Sequence, residues 1–289
     1  MGAPGKVSMA IFFRRRKAQT FSPWYGFLIL SIIAVALTLK IVDALRVDQV
    51  VPTANVPAVS YEAIVANPDS VIAQIVEPTP ALVVDLSAPE LVIEPIEQLP
   101  AQFNLAVPFT SQAPTGNWDA LHEDACEEAS FYMVQQFYAG TPAGKLDTSL
   151  VDTEFEAMID LQTSLGLGYS ITLAESVEFI LKHYGLKAVV IDDPSVLAIK
   201  ELIVAGKPVI VPAAGRELGN PFFSGEGPLY HMLIIRGYTE TTFITNDPGT
   251  RMGENYVYDI PVLMSAIGDW NSGDPVTGAS RILYIEPGS

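Results

Sequence analysis

The chain is poor in cysteine, histidine and positive charge. Its 289 residues include one cysteine, Cys126, three histidines, and 16 basic residues against 33 acidic ones, for a net charge of −17. A single cysteine excludes an internal disulfide, and so few thiol and imidazole groups form no cluster with metal-ligand spacing. We therefore expect neither a metal nor another cofactor. The acidic excess argues against nucleic acid as a partner, because phosphate binding requires a positive surface.

Acidic residues are also missing from the first 23 positions, which contain Lys6 and the basic run Arg14-Arg-Arg-Lys17. An apolar run without charge, Trp24–Leu39, follows, and Lys40 comes directly after it. A membrane-spanning helix needs roughly 20 apolar residues, or about 17 at the lower limit. A lysine at the end of such a run lengthens it by reaching for the interface.

These features predict a basic cytoplasmic tail over residues 1–23 and a single transmembrane anchor in the cell membrane over residues 24–45. Basic residues before the span place the N-terminus in the cytoplasm and the C-terminal domain outside the cytoplasm. A cleaved signal peptide is the alternative, although its apolar region usually runs about 7–15 residues.

Glycine is absent from residues 46–102, which contain eight prolines and eight acidic residues. Proline at this density interrupts helices and interior strands, and like charges repel one another. The composition predicts a disordered, extended acidic stalk. A short apolar run such as Ala81-Leu-Val-Val84 is compatible with some local order.

Residues 103–289 have the composition of one globular domain, in which helical patterns come first and strand patterns cluster late. Helical periodicity predicts helices from about 124, over 150–164, over 172–184 and over 195–205, with Gly166, Gly185 and Gly206 at the ends of the last three. Strands are predicted over 186–191, 208–212, 231–238, 242–247 and 281–285. This order favours an α+β fold with an antiparallel sheet.

Cys126 lies at the start of the first predicted helix. Asp124 and Glu127 have capping-box spacing there, so the thiol would feel the positive end of the helix dipole. A thiol reacts as its thiolate and needs a nearby base, whereas Glu127 and Glu128 oppose ionisation. An isolated cysteine is otherwise a buried packing residue.

His231 opens an apolar strand, and Asp247 lies 16 positions later on the second strand of the predicted hairpin. A turn centred near Glu240 brings Asp247 within a couple of positions of His231, while Asn246 faces the other side. An imidazole base needs a third group to fix its tautomer. Gln112 is the side-chain candidate for an oxyanion donor beside the Cys126 backbone N–H.

Four segments together resemble the papain-like cysteine peptidases related to the bacteriocin-processing, double-glycine leader peptidases. They are Val107-Pro-Phe-Thr-Ser-Gln112, Ala125-Cys-Glu-Glu-Ala-Ser130, Tyr230-His-Met-Leu-Ile-Ile-Arg-Gly-Tyr238 and Asn246-Asp-Pro-Gly249. The resemblance implies a papain-like fold with the cysteine on an early helix and His and Asp on the late sheet. It also implies Cys126 as nucleophile, His231 as general base, Asp247 as orienter and Gln112 as oxyanion donor. The family's usual Cys-Gly-Pro-Ala is replaced here by Cys-Glu-Glu-Ala.

The sequence thus favours a membrane-anchored bacterial cysteine peptidase that hydrolyses peptide or isopeptide bonds of a peptide or protein substrate. Two alternatives stay open. One is an inactive module of the same fold that binds a ligand at the cell surface. The other is an acyl transferase, because the same three residues serve hydrolysis and transfer.

Overall fold

A seven-stranded antiparallel sheet organises the protein. The computed structural model describes residues 51–66 and 99–288. The strands are β1 (Phe103–Asn104), β2 (Ala188–Asp192), β3 (Val209–Ala214), β4 (Tyr230–Tyr238), β5 (Thr242–Asn246), β6 (Tyr256–Asp259) and β7 (Arg281–Ile285). Their order is β2-β7-β3-β4-β5-β6, and β1 pairs with the end of β4. The predicted α+β class with a late antiparallel sheet is confirmed.

Helices precede and flank this sheet. They are α1 (Tyr61–Ala66), α2 (Cys126–Tyr138), α3 (Thr148–Leu165), α4 (Leu173–Tyr184), α5 (Val196–Val204) and α6 (Ile260–Ala266). Short 3-10 helices lie at Gly215–Leu218 and Pro275–Thr277.

The predicted ends of α3 and α4 are found close to their expected positions because local chemistry fixes them. Asp147 caps α3 by accepting from two backbone N–H groups, and Gly166 ends the helix in the left-handed conformation. Thr172 and Glu175 form a reciprocal capping box at the start of α4, and Gly185 ends it. These are the signals that short sequence patterns carry most directly.

Helix α2 packs against the central strand β4. Its apolar side chains Phe131, Met133, Val134 and Phe137 are fully or almost fully buried in the core. Every residue of β4 is buried, as expected for a strand covered on both faces. This packing places the first residue of α2, Cys126, near the first residues of β4, which include His231.

The start of α2 differs from the prediction. Ala125, not Asp124, is the N-cap residue, and no side chain caps the helix. Glu127 is buried and hydrogen-bonds elsewhere, so it does not complete a capping box. The spacing of a capping box was present, but tertiary contacts determine where the Glu127 side chain points.

Strand β6 and helix α6 were not predicted. Tyr256-Val-Tyr-Asp259 is short, and Pro261 follows two positions later, which is typical of an interruption rather than of a strand that leads into a helix. In the structure, Pro261 occupies the first turn of α6, where its missing N–H costs nothing.

Part of the predicted stalk packs on the domain. Between residues 51 and 66, the Val59 N–H donates to the Asn104 carbonyl at 2.9 Å, and the Ala106 N–H donates to the Val59 carbonyl at 2.7 Å. Tyr61 of α1 contacts the Phe137 and Tyr138 rings, with centroid distances of 5.5 and 5.0 Å. For these residues the expectation of an extended, unattached chain is wrong, because apolar and backbone groups both find partners.

The predicted cytoplasmic tail (1–23), the predicted anchor (24–45) and the run Ala81-Leu-Val-Val84 lie outside the described residues. In the ranges that the structure covers, no helix has the length and apolar character to cross a bilayer.

Candidate active site

His231 and Asp247 form a buried pair at one end of the sheet. Strands β4 and β5 pair with Ile234 opposite Asn246, so Asp247 leaves β5 close to the start of β4. The His231 Nε2 lies 2.7 Å from the Asp247 Oδ1. Both residues are almost fully buried, His231 at 1% and Asp247 at 0% exposure. The hairpin therefore brings together the two residues that the sequence singled out.

Three further groups hold the Asp247 carboxylate. The Tyr258 hydroxyl and the Asn220 amide, 3.1 Å away, donate to Oδ2, and the Gly249 N–H donates to Oδ1 at 3.0 Å. Burial alone would raise the pKa of Asp247. The positive charge of His231 and these hydrogen bonds outweigh burial and hold the pKa below its ordinary value. Asp247 is thus a stable carboxylate that fixes one nitrogen of the imidazole.

The supporting residues Tyr258 and Asn220 were not predicted. Asn220 lies in a loop and Tyr258 on the unpredicted strand β6, so no periodic pattern marks either one. Gly249 had a visible signal in the turn Asp247-Pro-Gly249. A Cβ atom there would lie 2.8 Å from the His231 Cε1, so the ring requires a glycine at this position.

Cys126 begins helix α2 and is 5% exposed. Its thiol donates to the Glu127 Oε2 at 2.9 Å. Burial raises the pKa of the thiol well above its ordinary value, and the carboxylates of Glu127 and Glu128 raise it further. The Met232 backbone N–H, next to His231 on β4, hydrogen-bonds the sulfur and acts in the opposite direction. Burial and the two carboxylates thus keep the Cys126 sulfur protonated, as a thiol.

One cavity of about 510 Å³ contains both Cys126 and His231 in its wall. Trp118 and Trp270 contribute aromatic surface, and the carboxylates of the exposed residues Glu123 and Asp124 lie on the same wall. Among the described residues that form the wall there is no lysine or arginine. The cavity is large enough for a few side chains of an extended peptide and is negatively charged.

Gln112 lines this cavity as well. Its Nε2 donates to the backbone carbonyls of His122 and Glu123, at 2.9 and 2.8 Å. Both amide protons are therefore engaged with the loop that leads into Cys126. The structure brings Gln112 to the site but shows it bonded to this loop.

The other two histidines have structural partners. His122 contacts Asp119 through Nδ1 at 2.8 Å and Asp152 through Nε2 at 3.3 Å, which ties the loop before Cys126 to α3. His183 lies in the last turn of α4, and its Nε2 is 2.7 Å from the Glu154 Oε1. Neither ring belongs to the cavity wall around Cys126.

Asn246 faces away from the site, as the strand period predicts. Its amide donates to the Val107 and Pro108 carbonyls, and its oxygen accepts from the buried Arg236. Arg236 also donates to the Leu105 and Val107 carbonyls. This network fixes the segment that leads to Gln112. No group of three or more potential metal ligands occurs within residues 51–66 and 99–288.

The chain is similar to a solved structure and matches a family model. A candidate C39-like peptidase from Bacillus anthracis has a solved structure with 16% identity and a TM-score of 0.44, covering 65% of this chain and 98% of its own. No curated protein matches the chain. The model of the Peptidase_C39 like family matches residues 104–274, more than half of the chain and including Cys126, His231 and Asp247. The chain therefore belongs to the Peptidase_C39 like family, whose domain is of the cysteine peptidase type.

Proposed function

We propose that the protein is a cysteine peptidase that hydrolyses peptide or isopeptide bonds of a peptide or protein substrate outside the cytoplasm. The supporting observation is the buried His231–Asp247 pair, which shares a cavity with the only thiol of the chain. Family membership supports the same reaction class. Bacteriocin leader processing is not part of this proposal.

The proposal assigns each step of hydrolysis to a residue. Asp247 occupies the His231 Nε2, so Nδ1 is the nitrogen left to accept the thiol proton. The Cys126 sulfur attacks the substrate carbonyl, and His231 then donates the proton to the leaving amine. Water hydrolyses the thioester and regenerates the thiol.

The oxyanion that forms on attack needs donors near the sulfur. The Cys126 backbone N–H, at the first helical position, has no acceptor within the helix. We assign Gln112 as the second donor from its position in the cavity and from the family resemblance. This role requires its amide to release one of the carbonyls of His122 and Glu123.

Anchoring in the cell membrane is also part of the proposal. It rests on the charge-free apolar run Trp24–Leu39 and on the basic residues before it. The anchor would hold the enzyme on the outer face of the membrane, with its N-terminus in the cytoplasm.

The experiment measures alkylation of Cys126 by iodoacetamide and cleavage of a peptide library by the full chain between pH 6 and 7. We expect alkylation faster than that of free cysteine and cleavage products by mass spectrometry. His231→Ala should lose both, and Cys126→Ser should lose cleavage. Slow alkylation that is insensitive to His231→Ala would contradict the peptidase.

A binding module without turnover is the second candidate. Within the described residues, the thiol hydrogen-bonds the Glu127 carboxylate rather than the His231 ring, which favours an unreactive sulfur. Ligand capture by both the native chain and Cys126→Ser, with no product in either, would support this candidate. Products joined to an added amine would instead indicate acyl transfer.

A further inference from the structure

Glu127 has an unusual environment for a carboxylate beside a nucleophile. It is 1% exposed, and its side chain returns to the start of its own helix. Its Oε2 accepts the thiol hydrogen of Cys126 at 2.9 Å, and its Oε1 accepts the Ile171 N–H at 3.3 Å. Both carboxylate oxygens are therefore held, one of them directly on the sulfur.

The charges around this carboxylate are mostly of its own sign. In the described part of the chain, Glu127 forms no ion pair with lysine or arginine. The positive charge of His231 acts on it and favours its carboxylate form. The titratable groups that interact with Glu127 are Cys126, Glu128, His231 and Tyr230. Asp124 acts on Glu128, and Asp269 and Glu175 act on Tyr230.

We infer that Glu127 is a positioning residue for the thiol proton, an inference that rests on the proposed function. As a carboxylate it keeps the proton on the Cys126 sulfur. As a neutral acid it lets that proton pass to His231.

The proton balance of this step is simple. Glu127 takes one proton from solvent, and its anionic charge disappears. The S–H proton then moves from Cys126 to the Nδ1 of His231, which gives a thiolate and an imidazolium. The neutral carboxyl can then donate its own O–H to the thiolate, and no electrons are exchanged.

The titration of Glu127 supports this role. Burial raises its pKa to about 7, even though the Cys126 thiol, the Ile171 N–H and the charge of His231 lower it. A group with a raised pKa is neutral below that pKa and charged above it. The thiolate–imidazolium pair is therefore favoured below pH 7 and lost as the pH rises through about 7.

Glu128 provides a matched control. It is adjacent and fully buried, and burial and the charge of Glu127 raise its pKa well above the ordinary value. Neither of its carboxylate oxygens has a hydrogen-bond partner among the described residues, so it does not hydrogen-bond the sulfur. Any effect of exchanging a buried carboxyl for an amide at the start of α2 should appear in both variants. An effect of the hydrogen bond to sulfur should appear only at Glu127.

The test is the pH profile of Cys126 alkylation by iodoacetamide between pH 5 and 9, on the full chain. For the native protein we expect about a tenfold fall in rate from pH 6 to pH 8, the range over which one group with a pKa near 7 titrates. Glu127→Gln should remove this fall, whereas Glu128→Gln should retain it. A fall of the same size in Glu127→Gln would overturn the inference.

A second measurement covers the case in which Glu127→Gln does not fold. Infrared difference spectra of the native chain should show a buried carboxyl that titrates near pH 7, and Cys126→Ser should shift that pKa. A native spectrum without such a carboxyl would equally overturn the inference.

The proposed role of Glu127 and the proposed peptidase activity can fail independently of each other. Peptide cleavage with an unchanged profile in Glu127→Gln rejects only the role of Glu127, and an altered profile without cleavage rejects only the peptidase.

Discussion

The carboxylate of Asp247 is buried at 0% exposure and yet keeps a lowered pKa. A buried ion is costly unless its lone pairs are occupied. Here His231 and Gly249 occupy one oxygen, and Tyr258 and Asn220 occupy the other. The orientation of the imidazole is therefore set mainly by Asp247, Tyr258 and Asn220, which are not among the described residues that line the cavity.

Replacing Tyr258 with phenylalanine tests this support. Tyr258→Phe removes the donor to the Asp247 Oδ2 and keeps the ring, so the fold should persist and the pKa of Asp247 should rise. A carboxyl with a lowered pKa stabilises the folded protein at pH values above its unfolded-state pKa, and this stabilisation is lost as the pH falls through its folded-state pKa. Because Tyr258→Phe weakens it, acid unfolding should begin at a higher pH. Urea unfolding should show a loss of about 1–2 kcal/mol at pH 7, and a smaller loss at pH 4, where part of the stabilisation by the ionised Asp247 is already gone in the native protein. Tyr256→Phe is the control, and equal losses in both variants would contradict the idea.

The role of Gln112 as an oxyanion donor can be tested by comparing two reactions of the Cys126 sulfur. Alkylation forms no oxyanion, whereas peptide hydrolysis does. For Gln112→Ala we expect hydrolysis to fall by about 10² while alkylation changes less than about twofold, as for loss of one oxyanion donor. If both reactions fall together, Gln112 serves to hold the loop before Cys126, as its bonds to His122 and Glu123 also allow.

Among the helices and strands, prediction from sequence was most accurate where the ends or the pairing of an element depend on residues close to it in the sequence. Helix ends at Thr172, Gly166 and Gly185 follow from local capping, and the β4–β5 hairpin places Asp247 from turn position and strand period alone. Glu127 was misassigned because its spacing is compatible with a cap, and only its contact with Ile171 across the fold shows otherwise.

The attachment of residues 51–66 to the domain could also not be predicted from the sequence. The proline-rich, acidic composition of residues 46–102 predicts an extended chain here, and none of the side chains at 51–66 is fully buried. What attaches it are backbone hydrogen bonds to β1 and β6 and the contacts of Tyr61. Such partners lie far away in the sequence, so composition cannot reveal them.

Tyr61→Ala should therefore destabilise the whole domain. Loss of two aromatic contacts and of half-buried surface should lower the free energy of unfolding by about 1–2 kcal/mol. Urea unfolding of the full chain, followed by tryptophan fluorescence, measures this change. Val65→Ala on the same helix, where the side chain is 62% exposed, should change stability by less than about 0.5 kcal/mol. Equal losses in the free energy of unfolding for Tyr61→Ala and Val65→Ala would mean that the contact of Tyr61 with α2 does not stabilise the domain.

For the molecule as a whole, charge is the dominant property. The net charge is −17, and the cavity around Cys126 and His231 adds the exposed carboxylates of Glu123 and Asp124. A field of this sign attracts cationic ligands and repels anionic ones. It also disfavours thiolate formation, which makes the imidazolium of His231 and the neutral form of Glu127 more important for reactivity.

Cationic peptides should accordingly be the better substrates, and salt should reduce that advantage. The screening length falls from about 30 Å at 0.01 M salt to about 10 Å at 0.1 M. Over this range we expect kcat/KM for a lysine-containing peptide to fall several-fold, while a neutral peptide of the same length changes little. The double variant Glu123→Gln, Asp124→Asn should lose most of this salt dependence, because it removes the two carboxylates on the cavity wall. Equal salt dependence for both peptides in the native protein would show that local charge at the cavity does not select the substrate.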